Sequence, residues 1–512
     1  MKSIVTRNPT FGVLLMTLVM GLAACQPENA GKERPREGHL TRALGGEPET
    51  LDPRLAEDNA SLALAGDLYE GLTVEGADGN PRPGAAEKWT VDSAGTQWTF
   101  HLRRDLRWSD GSPLTADHFA AGLSEALAPG AQAPFAELLR PIRHVTASGP
   151  GTLTIDLGSP VPELPALLAL PVAAPEPPSG AGPVTNGPYC VLERRPGERI
   201  VLERNPHFHD AEHVAIDRVT YLTIEDLGTE LSLYRTGRLD ITSEVPNAQL
   251  GWLRENLPGE LHVTPYLSTY AYAINLGRLP DRDARTALAM AVDREQVTRM
   301  VTGAGETPAY GWVPEGLPGY QPAHFEWRSA STGYRETEAR ARWEQARKKN
   351  AARDRLVLCT DASANHHRTA VALADQWHRV LGVAVELREM EWKAYLATRD
   401  QPGDCDLLRF GWSADYIDPA AFLSLLRTGN AQNEFGYSSA RYDQLLDEAG
   451  VMADRQERSR HLALAEAQLL ADVPLIPVFH RVSKRLVKPY VRGVAGNPLG
   501  HLPSRYLALD GK

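Results

Sequence analysis

The chain has little cysteine, no excess of positive charge and almost no long apolar run. Four cysteines in 512 residues are too few for a fold that replaces a hydrophobic core with disulfides. The formal net charge is −11, and the basic clusters Arg340-Arg342-Arg347-Lys348-Lys349 and Lys484-Arg485-Lys488 form no continuous stripe. That argues against nucleic acid as a partner. The apolar run Phe11–Ala24 is too short to span a bilayer comfortably, and nothing later is longer. The chain lacks Gly-x-Ser-x-Gly, His-Glu-x-x-His, Cys-x-x-Cys and a phosphate-cradling Gly-rich loop. We therefore expect no catalytic residues, no cofactor and no enzyme activity, with a secreted peptidase as a minor alternative. His207, His209 and His213, with Asp210 and Glu212, have a spacing that could hold a metal. Asn205-Pro206 opens a turn there, and we read no metal site.

What is present is an ordinary globular composition, 42% hydrophobic and 23% charged, in a chain too long for one core. Lys2 and Arg7 before Phe11–Ala24 mark a targeting segment, residues 1–24. It ends in Leu22-Ala23-Ala24-Cys25, which resembles the bacterial lipoprotein signal. Cys25 would then be the lipidated first residue, and 25–39 a flexible polar tether. The alternative is a plain secretory peptide cleaved near Ala24. Cys190, Cys359 and Cys405 are left, an odd number. Cys359 ends one predicted strand and Cys405 opens another, so in a parallel sheet they should lie at opposite edges. We expect no disulfide.

Alternating runs such as Trp98–Leu102 and Leu153–Leu157 predict strands, with a helix over 115–127 between them and a Pro- and Gly-laden loop over 171–186. Beyond residue 268 the pattern becomes strand 356–358, helix 366–380, strand 383–387, helix 392–399, strand 407–410. That βαβαβ order predicts a parallel sheet with right-handed crossovers. Two helices over 441–471 and a Pro-flanked strand over 473–479 follow.

The most telling stretch is Arg409-Phe410-Gly411-Trp412-Ser413-Ala414-Asp415-Tyr416. It reads as a buried strand breaking at Gly411 into an aromatic turn. Asp415 sits there among Trp412, Tyr416 and Phe422, with no Lys or Arg in the next ten residues. A buried charge without a partner is costly, so Asp415 suits a ligand ammonium, unless it caps a helix or meets a distant Arg.

These landmarks, with Thr50-Leu51-Asp52-Pro53, Leu68-Tyr69-Glu70-Gly71-Leu72, Trp108-Ser109-Asp110-Gly111, Thr185-Asn186-Gly187-Pro188-Tyr189 and Val201-Leu202-Glu203-Arg204-Asn205-Pro206, resemble the bacterial oligopeptide-binding proteins. Those are family 5 solute-binding partners of peptide ABC transporters, and the resemblance runs from about Leu40 to Lys512. It implies an α/β, periplasmic binding protein-like two-lobe fold with an extra third domain, mixed sheets and a two-stranded hinge. Domain I would comprise 40–72, 185–267 and 481–512, domain II 73–184 and domain III 268–480. It implies a monomeric, periplasmic, membrane-anchored lipoprotein that binds short peptides and meets permease subunits. Trp-x-Ala-Asp-Tyr would place the peptide ammonium on Asp415.

The resemblance puts Arg409, Arg399 and His366 near the peptide carboxylate at different lengths, and Trp392 in a side-chain pocket. Glu57 would lie on a covering loop. Each has a plainer reading: Arg409 paired with Asp404 or Asp406, His366 a cap or exposed, Arg399 on the surface, Trp392 in the core. Trp412 and Tyr416 would form walls of the cleft. Ser268 and Ser413 stand where a relative has a disulfide, Ala271 replaces one of a run of tyrosines, and Phe135 stands where a pocket Tyr is expected. A signalling or chaperone-like lipoprotein would share the same site.

If Cys25 is acylated, Cys25→Ser releases the protein from membranes in cell fractionation. A mature wild-type protein that is soluble, with an unmodified Cys25, would rule the anchor out.

Overall fold

The computed structural model describes residues 38–177, 184–430, 432–433, 436–452 and 454–510. The signal segment, Cys25 and nearly all of the tether lie outside them, as do residues 178–183 of the expected 171–186 loop. In chain order, β1 (His39–Ala43) is followed by α1 (Asn59–Leu68), whose first-turn amides donate to the Asp58 side chain. A compact antiparallel sheet follows, built from β2 (Ala86–Val91), β3 (Gln97–Leu102), β4 (Ile142–Ala147) and β5 (Thr152–Leu157) in the order β2-β3-β5-β4. Trp98, Phe100 and Leu102 on β3, and Leu153, Ile155 and Leu157 on β5, point to one face and are buried there. The helix α2 (Ala116–Ala126) covers that face with Phe119 and Leu123.

The chain then returns to β1. Strands β6 (Tyr189–Arg195), β7 (Arg199–Arg204) and β8 (Arg218–Leu222) form a second sheet, ordered β1-β8-β7-β6, with β1 parallel to β8. The third sheet is the largest. Its strands are β9 (Leu261–Ile274), β10 (Thr307–Pro308), β11 (Arg355–Asp361), β12 (Ala384–Met390), β13 (Leu407–Ser413) and β14 (Leu475–Leu486), ordered β10-β14-β9-β13-β11-β12. As the βαβ pattern requires, β11 is parallel to both β12 and β13. The crossovers are α3 (Ala364–Leu381) and α4 (Trp392–Asp400).

Strands β9 and β14 are long because they serve two regions. Thr269–Ala273 pairs with Leu475–His480 inside the large sheet, and Leu261–Pro265 pairs with Val482–Leu486 beyond it. Ile241 then bridges Val487 on one side and Arg42 of β1 on the other, tying the large sheet to the second. Tyr270, Tyr272 and Ile274 of β9 face one apolar cluster, while Ala271 and Ala273 face another. The covering helix α5 (Arg455–Asp472) carries Glu466, whose carboxylate accepts from the amides of Trp312, Val313 and Ala323 and from the Tyr320 hydroxyl. Burial pushes that carboxyl up to about 7.

Two expectations are corrected. The strand through Gly411 does not break; it runs to Ser413, because a residue without a side chain lets β13 lie close to the Thr269 carbonyl. Cys359 and Cys405 are also bridged, with Cα atoms 5.9 Å apart. Cys359 lies inside β11, which runs on to Asp361, and β13 enters beside it with Cys359 level with Leu408. The cysteines therefore face each other across neighbouring strands and do not occupy opposite sheet edges. Cys190 remains a free thiol.

The bridge closes a loop between residues 46 positions apart. Reduction, or Cys405→Ser, should lower stability by about 2–4 kcal/mol. Thermal unfolding with and without reductant measures this, and an unchanged Tm would refute it.

Candidate functional site

Three parallel strands end side by side. β11 stops at Asp361, β12 at Met390 and β13 at Ser413. The carboxyl ends of parallel strands are where α/β sheets gather ligands, since the loops there diverge. Asp361, Glu391, Trp392 and Asp415 all follow those ends and line one cavity of about 710 Å³. The opposite wall comes from the first third and the end of the chain, including Asp58, Tyr69, Phe135 and His501. This volume falls within the range of small-ligand sites.

Asp415 is a half-buried carboxylate with no ion-pair partner among the described residues. Burial pushes its carboxyl up to about 7, and Glu57 adds to that; His501 and the local backbone pull the other way. His501 is itself engaged: its Nδ1 lies 2.8 Å from Glu75, which also accepts from Asn497 Nδ2 at 2.6 Å. Asp415 thus sees one partly neutralised imidazole and no guanidinium of its own. Close by, the Tyr266 hydroxyl donates to Ser413 Oγ at 2.6 Å, and Ser413 Oγ donates to Ser268 Oγ at 3.0 Å.

The second centre is built on Asp361. Arg409 Nε donates to its Oδ1 at 2.9 Å, and His366 Nδ1 lies 2.8 Å from Oδ2. Burial works against this carboxylate, but Arg409 and His366 outweigh it and hold Asp361 well below the ordinary range. Burial and the Arg409 charge together lower the imidazole of His366, favouring its neutral form. The Arg409 guanidinium lies over Trp392, 5.7 Å from the ring centroid, and over Tyr395 at 5.5 Å. Tyr395 donates its hydroxyl to the Arg409 carbonyl.

The structure therefore places Asp415 and Trp392 on the cavity, with Arg409 and His366 behind its lining residue Asp361. Neither Asp404 nor Asp406 partners Arg409: Asp404 binds Arg388, and Asp406 binds Arg278. Arg399 stands one layer back, with its guanidinium over Phe410 at 5.6 Å. Glu57 is exposed on its loop, near enough to act on Asp415. Trp412 and Tyr416 face away from the cavity. The Trp412 indole donates to the Ala421 carbonyl at 2.7 Å, and Tyr416 is buried in the core. Among the described residues no group of His, Cys, Asp or Glu is placed to hold a metal. His209 pairs with Glu70, and His213 with Asp210. No described helix is long and apolar enough to cross a membrane.

Sequence reasoning missed Asp361, His501 and Glu75. Asp361 had one usable signal, an acid just beyond a predicted parallel strand. The other two had none, because Glu75 and His501 meet across 426 positions of chain.

A sequence model described as bacterial extracellular solute-binding proteins, family 5 Middle, matches residues 80–434. The periplasmic oligopeptide-binding protein OppA of Escherichia coli (strain K12) is 34% identical, with 96% of each chain covered. The structure of the Escherichia coli murein tripeptide binding protein MppA superposes with a TM-score of 0.87 at 30% identity, covering 92% of this chain and 98% of its own. The unliganded open form of MppA superposes at 0.70. The Haemophilus influenzae OppA complex with RPPGFSPFR superposes at 0.86 and 30% identity, covering 93% of this chain and 100% of its own.

Because the Asp415 carboxyl is raised on folding, the ligand-free protein takes up a proton there between the unfolded value, near 4, and about 7. The cost of the buried charge is absent at low pH and complete above about 7. Asp415→Asn should therefore raise the Tm of the ligand-free protein at pH 8 and leave it nearly unchanged at pH 4. Equal shifts at both pH values would mean that the charge of Asp415 is not the cause.

Proposed function

This chain belongs to the family 5 bacterial extracellular solute-binding proteins, and from that membership we propose that it captures short peptides by backbone and termini and delivers them to an ABC importer. The observation that carries the reading is Asp415, an ionisable acid facing the cavity with no ion-pair partner among the described residues. A peptide ammonium is the cation it lacks. At the other end, a peptide carboxylate can compete with Asp361 for Arg409 and His366, or reach Arg399 when the peptide is longer. Arg409 suits this role because its planar fork binds carboxylates in a bidentate manner.

Between the two ends the main chain has a template. β13 pairs with β11 only at Leu407 and Leu408, so the stretch 409–413 diverges from that neighbour at the cavity. An extended peptide added there as a strand would be held without regard to its side chains. Trp392 would flank a side-chain pocket, Glu57 would lie on the covering loop, and Trp412 and Tyr416 would hold the turn that presents Asp415.

The three sheets support a division into domain I (40–72, 185–267, 481–512), domain II (73–184) and domain III (268–480). The β9–β14 pair would be the hinge between lobes. The higher superposition with MppA than with its open form (0.87 against 0.70) fits a closed arrangement of those lobes. The protein would act as a monomer, anchored through Cys25 on the outer side of the membrane and presenting its closed form to the permease. A signalling or chaperone-like role would use the same site and differ only in the partner.

Truncating one member of a buried, hydrogen-bonded charge pair costs at least about 2 kcal/mol, so Asp415→Asn should weaken tripeptide binding roughly thirty-fold. N-acetylation of the peptide should cost wild type a similar factor and the variant little more. Calorimetry on this two-by-two cycle decides the matter. Full additivity of the two losses would mean that Asp415 does not meet the ammonium.

A further inference from the structure

Three guanidinium groups face the same cavity with no carboxylate in salt-bridge range among the described residues. Arg481, Ser483 and Arg485 occupy alternate positions on β14, so their side chains share one face, and all three line the cavity together with Arg42. Arg485 donates only to neutral groups, the Ser483 hydroxyl at 2.9 Å and the Gly500 carbonyl at 2.7 Å. Arg42 likewise donates to the Leu502 carbonyl and the Ser504 hydroxyl, and its Nε is buried without a partner. Arg481 lies over the Tyr266 ring, 5.8 Å from the centroid. The remaining cations along this wall are already matched. Arg505 binds Glu70 at 2.6 Å, Lys484 binds Glu306 at 3.0 Å, and His501 binds Glu75 at 2.8 Å.

Crowding several half-buried guanidiniums without a counter-ion is unfavourable. Burial and the neighbouring Arg42 charge lower Arg485 to about 10. An anion entering the cavity would relieve this, and the surroundings fix where it would sit. Tyr266 is the shared landmark: its hydroxyl binds Ser413, two residues before Asp415, its ring carries Arg481, and Gly500 lies against its edge. On its other side, Arg481 is near enough to His366 to depress that imidazole. Arg481 is thus tied through Tyr266 to the Asp415 end and through its field to the Asp361 centre.

We propose that Arg481 and Arg485 form an anion subsite beside Asp415 that takes the side-chain carboxylate of an acidic residue at the first or second position of a bound peptide. This rests on the peptide-binding reading above and adds a side-chain preference to it. A peptide with an amino-terminal ammonium and a nearby carboxylate would complement Asp415 and the arginines at once, which a main-chain template cannot distinguish.

The test is calorimetry with Ala-Ala-Ala, Ala-Glu-Ala, Ala-Gln-Ala, Glu-Ala-Ala and Gln-Ala-Ala, each as free acid and as carboxy-terminal amide. The proteins are wild type, Arg481→Gln, Arg481→Lys and Arg485→Gln, each checked for an unchanged unfolding transition. A glutamate at position one or two should bind wild type roughly ten-fold tighter than the matching glutamine, the scale of a net charge-assisted hydrogen bond. The ratio should survive amidation, shrink with added salt and fall below about three-fold in Arg481→Gln. Arg481→Lys should retain part of it, and glutamine peptides should bind all four proteins alike. Equal affinity for glutamate and glutamine, or a preference that both glutamine variants preserve, overturns the subsite while leaving peptide capture intact. A ratio near one, combined with an amidation penalty that disappears in Arg481→Gln, assigns the arginines to the terminal carboxylate and also overturns it. Failure of every peptide, Ala-Ala-Ala included, to bind wild type removes the peptide reading and this inference with it.

Discussion

The pairing of β9 with β14 is the constraint on which the other parts depend. Few strands in a chain of this kind run to 14 and 12 residues, and these two do so because each belongs to two places. Their inner halves sit in the large sheet, and their outer halves reach the second sheet through Ile241. The alternation of bulky and small residues on β9 follows from this. Tyr270 and Tyr272 fill one side, while Ala271 and Ala273 let the other side pack closely. The same register delivers Arg481, Ser483 and Arg485 to the cavity face, so the scaffold that joins the sheets also sets the charge of the wall.

That wall and the strand ends opposite divide the charges unevenly. Asp361 is held by the Arg409 guanidinium and the His366 imidazole, whereas Asp415 has no ion-pair partner among the described residues. On the proposed peptide-binding reading, an extended zwitterion would meet different chemistry at each end of such a cleft and would lie in it in one direction. Polarity of binding would then come from pairing, not from shape. The protein is of the α/β, periplasmic binding protein-like type, and its relatives are binding proteins and not enzymes.

What could be read from the sequence was local. Asp415 stood out because its neighbours are apolar and no Lys or Arg follows within a turn or two, a property of ten adjacent residues. The βαβαβ order of 355–413 was legible for the same reason, since helical and strand periodicities differ within short windows. Contacts between distant segments were not legible. Arg409 lies among the acids 404 and 406, yet its partner Asp361 is 48 positions away on an adjacent strand. Cys359 was misjudged because the apolar run 356–358 understated a strand that continues to Asp361. Trp412 and Tyr416 flank Asp415 in sequence, which suggests cleft walls, but the Trp412 indole bonds the Ala421 carbonyl and Tyr416 packs in the core. Glu75 and His501 come from opposite ends of the chain and could be joined only by folding it.

Trp392 gives the site an optical property. Its ring is half-exposed in the cavity wall beneath the Arg409 guanidinium, whereas Trp108, Trp312, Trp343 and Trp377 are sealed in the interior. On the proposed reading, a ligand carboxylate that draws Arg409 off the indole would change the field across that ring and leave the buried ones untouched. Occupancy of the cleft would thereby be written into the colour and yield of the protein's own fluorescence, with no label needed to follow it.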